Sequence, residues 1–166
     1  MLIPQIQFCI IISTEGFAVK EGARLNRVVI GEIGPNETAQ VKELFETVYV
    51  NTFSGHAPAF EETSAGEKIY AARLDGDIVG FASVWEPEKF IHYLFVSPTA
   101  RRKKVGSTLV NRLVEIYGGP LTLKCLISNE NGMAFYRATG WKERKNGISE
   151  DRAYALLIYD PSKGEP

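Results

Sequence analysis

The sequence predicts an α/β fold of the α+β kind, a mixed sheet with helices packed on its faces. Three observations carry that prediction. Short runs rich in β-branched and aromatic residues recur along the chain and read as strands. Asp75-Gly76-Asp77 lies between two such runs and is a strong hairpin signal. The later half alternates strand and helix, and hairpins early with β-α-β order later imply a mixed sheet.

The elements follow in order. Residues 25–166 read as one domain, and residues 1–24 as an N-terminal extension or added strand. In that extension "IQFCIII" has β-branched character and "TEGFAVKEG" supplies turn residues. "RVVIGEI" is a strand ended by Gly34-Pro35-Asn36. An amphipathic helix follows, with Val41, Leu44, Phe45, Val48 and Tyr49 on one face. "NTFSGHAPAFEET" is polar and broken by Gly and Pro, a loop with room for a short helix. "KIYAARL", "IVGFASVWE" and "FIHYLFV" are three consecutive strands. Val105, Leu109, Leu113 and Ile116 make a helical stripe that stops at Gly118-Gly119-Pro120. "LTLKCLI" is the next strand. "SNENGMAFYRATG" is a short helix with Ser128 or Asn129 as its cap and Gly140 as its stop. "WKERK" and "AYALLIY" close the chain as strands around a polar loop.

Composition narrows the classes. A chain of 166 residues is long enough for a real core, and 45% hydrophobic with 23% charged residues is a globular composition. Lys+Arg 19 against Asp+Glu 20 rules out a general polyanion binder. Cys9 and Cys125 stand far apart in apolar stretches, so buried thiols are expected rather than a disulfide framework. His56 and His92 have no partner at metal spacing, and no metal is expected. "FCIII" is too short to span a bilayer and no Lys or Arg precedes it, which leaves a cytoplasmic protein without a membrane partner.

One local feature stands against the neutral whole. "VSPTARRKKVGSTLV", residues 96–110, sets Arg101, Arg102, Lys103 and Lys104 directly before a helix. A helix start leaves backbone N–H groups without partners, and the usual Ser, Thr, Asp or Asn cap is missing before Val105. Gly106 in the first turn admits a close ligand. The dipole and the four cations favour a diphosphate there, although a solvated basic turn would have the same residues. No aromatic interleaves the run, so a nucleic-acid partner is the weaker reading. A second stretch, "SNENGMAFYRATGW", puts Asn129 at a helix start and Tyr136 two turns later on the same face. An amide there can bond an extended ligand and a tyrosine hydroxyl can donate a proton, while a plain cap and a plain core residue remain the bland alternatives.

Taken together, the two stretches resemble motifs A and B of the GNAT superfamily of acyl-CoA-dependent N-acyltransferases. "LFVSPTARRKKVGSTL" resembles the first motif, a strand ending in hydrophobic-x-Val-x-Pro followed by Arg/Gln-x-x-Gly-x-Gly/Ala. "NENGMAFYRATGW" resembles the second. Lys104 stands where the family usually has a glycine, and Gly132 where it has an alanine. The element order from about Arg27 to Asp160 is also similar.

The resemblance implies a mostly antiparallel central sheet with a splayed parallel strand pair and helices on both faces. It implies acetyl-CoA in the gap between "IHYLFV" and "LTLKCLI", pantetheine on the backbone around Leu94, Phe95 and Val96, and diphosphate on the amides of Arg102 through Ser107. Arg101, Lys103, Lys104, Val105, Gly106, Thr108 and Asn129 would complete the cofactor site. An amine would attack the thioester directly, with a backbone N–H near Leu94 on the oxyanion, Tyr136 protonating the thiolate, and Glu86 or His92 as base. Ribosomal-protein N-terminal acetyltransferases of the superfamily carry a Glu five residues before the motif asparagine, where this chain has Lys124. That favours a small amine over a peptide N-terminus. Protein or peptide amines and a non-catalytic acyl-CoA-binding module are the alternatives. A homodimer is allowed, and nothing in the sequence sets the oligomeric state.

Overall fold

The computed structural model describes residues 27–53 and 55–163. The reading of residues 1–24, Cys9 included, lies outside the described residues. The elements are β1 (Val29–Glu32), α1 (Thr38–Thr52), α2 (Phe60–Thr63), β2 (Lys68–Leu74), β3 (Asp77–Trp85), β4 (Phe90–Val96), α3 (Val105–Tyr117), β5 (Leu121–Leu126), α4 (Glu130–Ala138), β6 (Lys142–Ser149) and β7 (Arg152–Tyr159). Their order is the predicted one, and α2 falls inside the polar segment that had room for a short helix.

Two local expectations need correction. β6 does not stop at Lys145 but continues to Ser149, and the polar loop shrinks to Glu150 and Asp151, both in left-handed conformation. Main-chain pairing with β7 needs no apolar side chains, and a two-residue turn with positive φ matches the twist of a hairpin. In α3, Ile116 is 38% exposed. At that last turn Tyr117 meets the sheet instead, its ring edge-on to Tyr70 at 6.2 Å.

The seven strands form one sheet in the order β1-β2-β3-β4-β5-β7-β6. Every neighbouring pair is antiparallel except β4 and β5. Helices α3 and α4 cover one face, where Val105, Leu109, Leu113, Met133 and Tyr136 pack on Ile91, Leu94, Leu123 and Cys125. Helices α1 and α2 cover the other face over β3 and β4, where Val41, Phe45, Val48 and Phe60 enclose Phe81, Tyr93 and Phe95. Burial pushes the Cys125 thiol up to about 12, so it is an inert core residue.

The start of α1 is tied to the sheet by a fork. Arg73 donates from Nε and Nη2 to the two oxygens of Glu37 at 2.6 and 2.5 Å, and the Gly34 N–H donates to Oε2 at 2.8 Å. The hydrogen bonds from Arg73 and then Gly34 hold the Glu37 carboxyl at about 2. Because that value is depressed, the tie is complete at neutral pH and is lost only as pH falls towards 2.

A bulge in β4 sets the phase of the sheet. Ser83 pairs with Tyr93 and Val84 with Ile91, so His92 is the extra residue. Ile91 consequently faces α3 while Tyr93 faces α1, although two residues on one strand would otherwise share a face. Among the described residues, no helix is long and apolar enough to cross a membrane.

Helix α3 approaches the sheet at Gly80. A Cβ there would lie 2.9 Å from the Phe95 carbonyl oxygen and 3.0 Å from a Val105 methyl. The expected outcome for Gly80→Ala is a loss of about 1–3 kcal/mol, seen as a Tm lower by several degrees in calorimetry. An unchanged Tm would show that α3 is not held at this distance by the glycine.

Candidate active site

The parallel pair separates almost at once. Only Phe90 with Thr122 and Ile91 with Leu123 are in register between β4 and β5. Beyond them β4 stays paired with β3 as far as Val96, and β5 with β7 as far as Leu126. The inner edges of the two strands therefore face each other across a widening gap, as expected. The Ser97 N–H donates to the Val79 carbonyl at 2.8 Å. Antiparallel ladders alternate, so Phe95 bonds towards β3 while the N–H and C=O of Leu94 and Val96 turn towards the gap. These are edge groups suited to an extended ligand.

The basic loop closes one end of the gap. After β4 the chain makes a short turn at Pro98–Ala100, and α3 then begins at Val105. Arg102 and Lys104 have φ of 63° and 60°, both left-handed. Lys104 precedes the helix without capping it by its side chain. Its carbonyl accepts from the Thr108 N–H at 2.9 Å and from Thr108 Oγ1 at 2.8 Å. Gly106 is buried, Ser107 and Thr108 are half-buried, and Arg102, Lys103 and Lys104 are exposed. None of those three cations forms an ion pair among the described residues. Arg101 is half-buried, and that burial lowers its pKa.

The second motif lies on the flank next to β5. Asn129, rather than Ser128, caps α4, its Oδ1 accepting from the Gly132 N–H at 3.0 Å. Its Nδ2 is buried and has no hydrogen-bond partner among the described residues. A Cβ at position 132 would come within 2.4 Å of that nitrogen. The glycine that replaces the family's alanine thus lets the Asn129 amide lie close over the helix start. Tyr136 is wholly buried on the same side of α4, its ring 5.3 Å from Phe135 and 5.4 Å from Trp141.

The two candidate bases lie on opposite faces of the sheet. The Glu86 carboxylate accepts from the Tyr117 hydroxyl at 3.1 Å, and Tyr117 in turn meets the Tyr70 hydroxyl at 2.9 Å. This places Glu86 at the far end of α3, where the strands are still paired. His92 points to the α1 face, where its Nδ1 is hydrogen-bonded to Glu67. The Glu67 carboxylate also accepts from Ser83 Oγ. The Glu67 side chain is 3% exposed and that of His92 21%. The Phe90 ring lies 4.8 Å from the imidazole. Glu67 and Ser83 were not found by sequence reasoning, because they sit 25 and 9 positions from His92 in no motif and meet only through strand pairing.

Two further features complete this side. A hollow of about 530 Å³ opens between α1 and the loop after it, lined by Glu46, Val50, Gly55, His56 and Ala57. Arg152, just after the β6–β7 turn, lies 5.4 Å from the Phe53 ring, which joins that hairpin to the end of α1. Among the described residues no group of three or more His, Cys, Asp or Glu side chains is arranged to hold a metal ion.

Residues 38–141 match the Acetyltransferase (GNAT) family, and the chain belongs to that family. It is an acetyltransferase with acetyl-CoA as co-substrate. The fold is similar to that of the ribosomal-protein-S18-alanine N-acetyltransferase from Escherichia coli, with a TM-score of 0.68 and 14% identity over 84% of this chain and 97% of that one. It is also similar to the PaiA N-acetyltransferase from Thermoplasma acidophilum in complex with coenzyme A, with a TM-score of 0.67 and 15% identity over 81% and 99%. A third similar structure is YncA from Salmonella typhimurium with its cofactor acetyl-CoA, with a TM-score of 0.64 and 13% identity over 84% and 96%. At these identities the likeness is one of fold. No curated protein matches the chain.

The left-handed Lys104 accounts for the family's usual glycine at this place. A β-carbon there costs about 1–2 kcal/mol that glycine avoids, partly offset by the greater freedom of an unfolded glycine. Lys104→Gly is expected to raise Tm by a few degrees in the absence of ligand. A lower Tm would mean that the lysine side chain stabilises the loop by more than its backbone strains it.

Proposed function

We propose that the protein moves the acetyl group of acetyl-CoA to a small primary amine by direct attack in a ternary complex, with His92 as base and Glu67 as the group that orients it. One observation carries the assignment: a buried carboxylate bonded to both Ser83 and His92, at the strand bulge beside the gap. Glu67 accepts from Ser83 and from the His92 Nδ1–H, which leaves the lone pair on Nε2. A fixed tautomer with a backing carboxylate is the arrangement of an oriented general base.

The cofactor side follows from the geometry of the gap. The residues fit acetyl-CoA, since Leu94 and Val96 offer strand-edge groups and Asn129 holds a buried amide N–H group without a partner among the described residues. Leu94 and Val96 bind pantetheine, with Phe95 holding the strand in place from the other side, and the Asn129 amide donates to the same chain. The amides of Arg102 through Ser107, together with Thr108, bind the diphosphate at the N-terminus of α3. Arg101, Arg102, Lys103 and Lys104 supply the positive charge around it.

The acceptor approaches from the α1 face. His92 Nε2 removes a proton from its ammonium group, and the freed nitrogen lone pair forms a bond to the thioester carbonyl carbon. The Leu94 N–H stabilises the charge that develops on the carbonyl oxygen. As the carbon–sulfur bond breaks, the Tyr136 hydroxyl donates its proton to sulfur, and a second proton from the nitrogen makes that loss good. One proton leaves through His92 to solvent. Glu86, bonded to Tyr117 on the other face, takes no part.

Lys124 supports the small-amine reading, because a cation occupies the place where the ribosomal N-terminal enzymes have a glutamate. Asn129, Tyr136 and the Glu67–His92 pair together favour an enzyme over a binding module that has lost turnover. Thiol release with acetyl-CoA and a panel of amines tests the reading. Small primary amines should react faster than peptide N-termini, and turnover of peptides alone would reverse it.

Tyr136→Phe keeps the ring and removes the proton donor, so kcat should fall on the order of a hundredfold with little change in acetyl-CoA affinity. Full activity under conditions where chemistry limits the rate would return Tyr136 to a packing role.

Glu67→Gln keeps the shape and removes the negative charge behind the imidazole, while its amide oxygen can still accept from Nδ1–H and its N–H can donate to Ser83 Oγ. The expected result is a loss in kcat on the order of a hundredfold, accompanied by a changed His92 Nδ1 signal in ¹⁵N NMR as the hydrogen bond to the neutral amide weakens. With only two histidines in the chain, the assignment needs one control variant at His56. A His92→Ala enzyme as active as the original would remove His92 from the chemistry. An inactive His92→Ala with an unaffected Glu67→Gln would remove only the orienting role of Glu67.

A further inference from the structure

Lys124 lies on the same face of the sheet as His92 and next to it across the opening gap. Ile91 and Leu123 are the last pair in register, and both point into the α3 side. The following residues on the two strands are His92 and Lys124. His92 turns to the α1 face through its bond to Glu67. Lys124 turns the same way, since its neighbours Leu123 and Cys125 are buried on the other side. Adjacent strands are about 4.8 Å apart while paired, so the two side chains flank the mouth of the gap at a spacing that grows from there.

The surroundings of Lys124 are cationic and aromatic. Leu156 of β7 is in register with Lys124 on one side and with Lys145 on the other, so the two lysines occupy one row of the same face. The Lys124 ammonium stands 4.9 Å from the centre of the Tyr154 ring. No carboxylate forms an ion pair with it among the described residues. Burial and then Lys145 lower its pKa, with Glu88 opposing them. A half-buried cation of this kind gains from an anion brought to it. It also repels a bare ammonium arriving beside His92, so among small amines one that brings its own anion is the better match.

We propose that the acceptor carries a carboxylate a few bonds from its reacting amine, making it an amino acid rather than a simple amine, and that Lys124 binds that carboxylate. The inference rests on the small-amine reading above and narrows it. The acceptor nitrogen lies against His92 at the gap, and the carboxylate reaches across the mouth to Lys124 on the neighbouring strand, with the Tyr154 ring as the wall behind it. The carboxylate offsets the charge of Lys124 and leaves the ammonium to meet only the base.

Matched acceptors test this with the full-length enzyme at saturating acetyl-CoA. Each of a set of free amino acids is compared with its carboxamide and with its decarboxylated amine. The free acid is expected to have kcat/KM at least tenfold above either partner, mostly through a lower KM. Lys124→Met keeps much of the aliphatic stem and should collapse that ratio towards one, while Lys124→Arg should retain most of it. Equal or faster reaction of the amides and plain amines in the unmodified enzyme would overturn the inference and leave the small-amine reading standing. An equal fractional loss for acid and amide in Lys124→Met would also overturn it. Acetylation of peptide N-termini alone would overturn both readings.

Discussion

The organisation of this protein depends on one interrupted interaction. Two parallel strands pair over two residues each and then part, and the main-chain groups of Leu94 and Val96 are left at an inner edge. Backbone N–H and C=O groups are strong hydrogen-bonding groups, and leaving them unmatched away from water is costly. A sheet with that defect is stable only if its outer pairings are intact on both sides. Here β4 keeps β3, and β5 keeps β7, along their full lengths. The fold thus has a gap between two strand edges of the kind that an extended molecule with amide groups fits, and the family to which the chain belongs uses such a molecule as its acetyl donor.

The gap is shaped by backbone conformation as much as by side chains. Arg102 and Lys104 are left-handed, and the helix after them begins without a side-chain cap. The bulge at His92 does comparable work in the middle of β4. It reverses the phase of the strand, so that Ile91 and Leu94 serve the α3 core while Tyr93 and Phe95 serve the α1 core. It also turns His92 towards Glu67. A regular strand would have to give up either the packing or the contact.

The charges divide the molecule in a way that its overall neutrality hides. Four cations stand at the start of α3, a buried carboxylate backs the imidazole, and a half-buried lysine stands opposite it at the mouth of the gap. Each belongs to a different part of one reaction under the reading proposed above: holding a polyanion, accepting a proton, and choosing the acceptor. Under that reading the role of Lys124 follows from its place beside His92 across the gap.

The sequence by itself determined the element order and most strand limits, because hydrophobic period and turn residues are local properties. "KIYAARL" and "FIHYLFV" coincide with β2 and β4 residue for residue. It also determined the two chemical motifs, since Arg101 to Lys104 and Asn129 to Tyr136 are each contiguous. It misjudged β6, where pairing of exposed polar residues leaves no hydrophobic trace, and Ile116, whose exposure depends on where the sheet ends beneath the helix. Only the tertiary structure brought Glu67 and Ser83 to His92, separated Glu86 onto the other face, and set Lys124 beside His92 across the gap. These placements depend on strand register and on one extra residue in β4. Register is fixed by contacts between distant segments, and a shift of one residue would reverse every face, so no local pattern in the chain could reveal it.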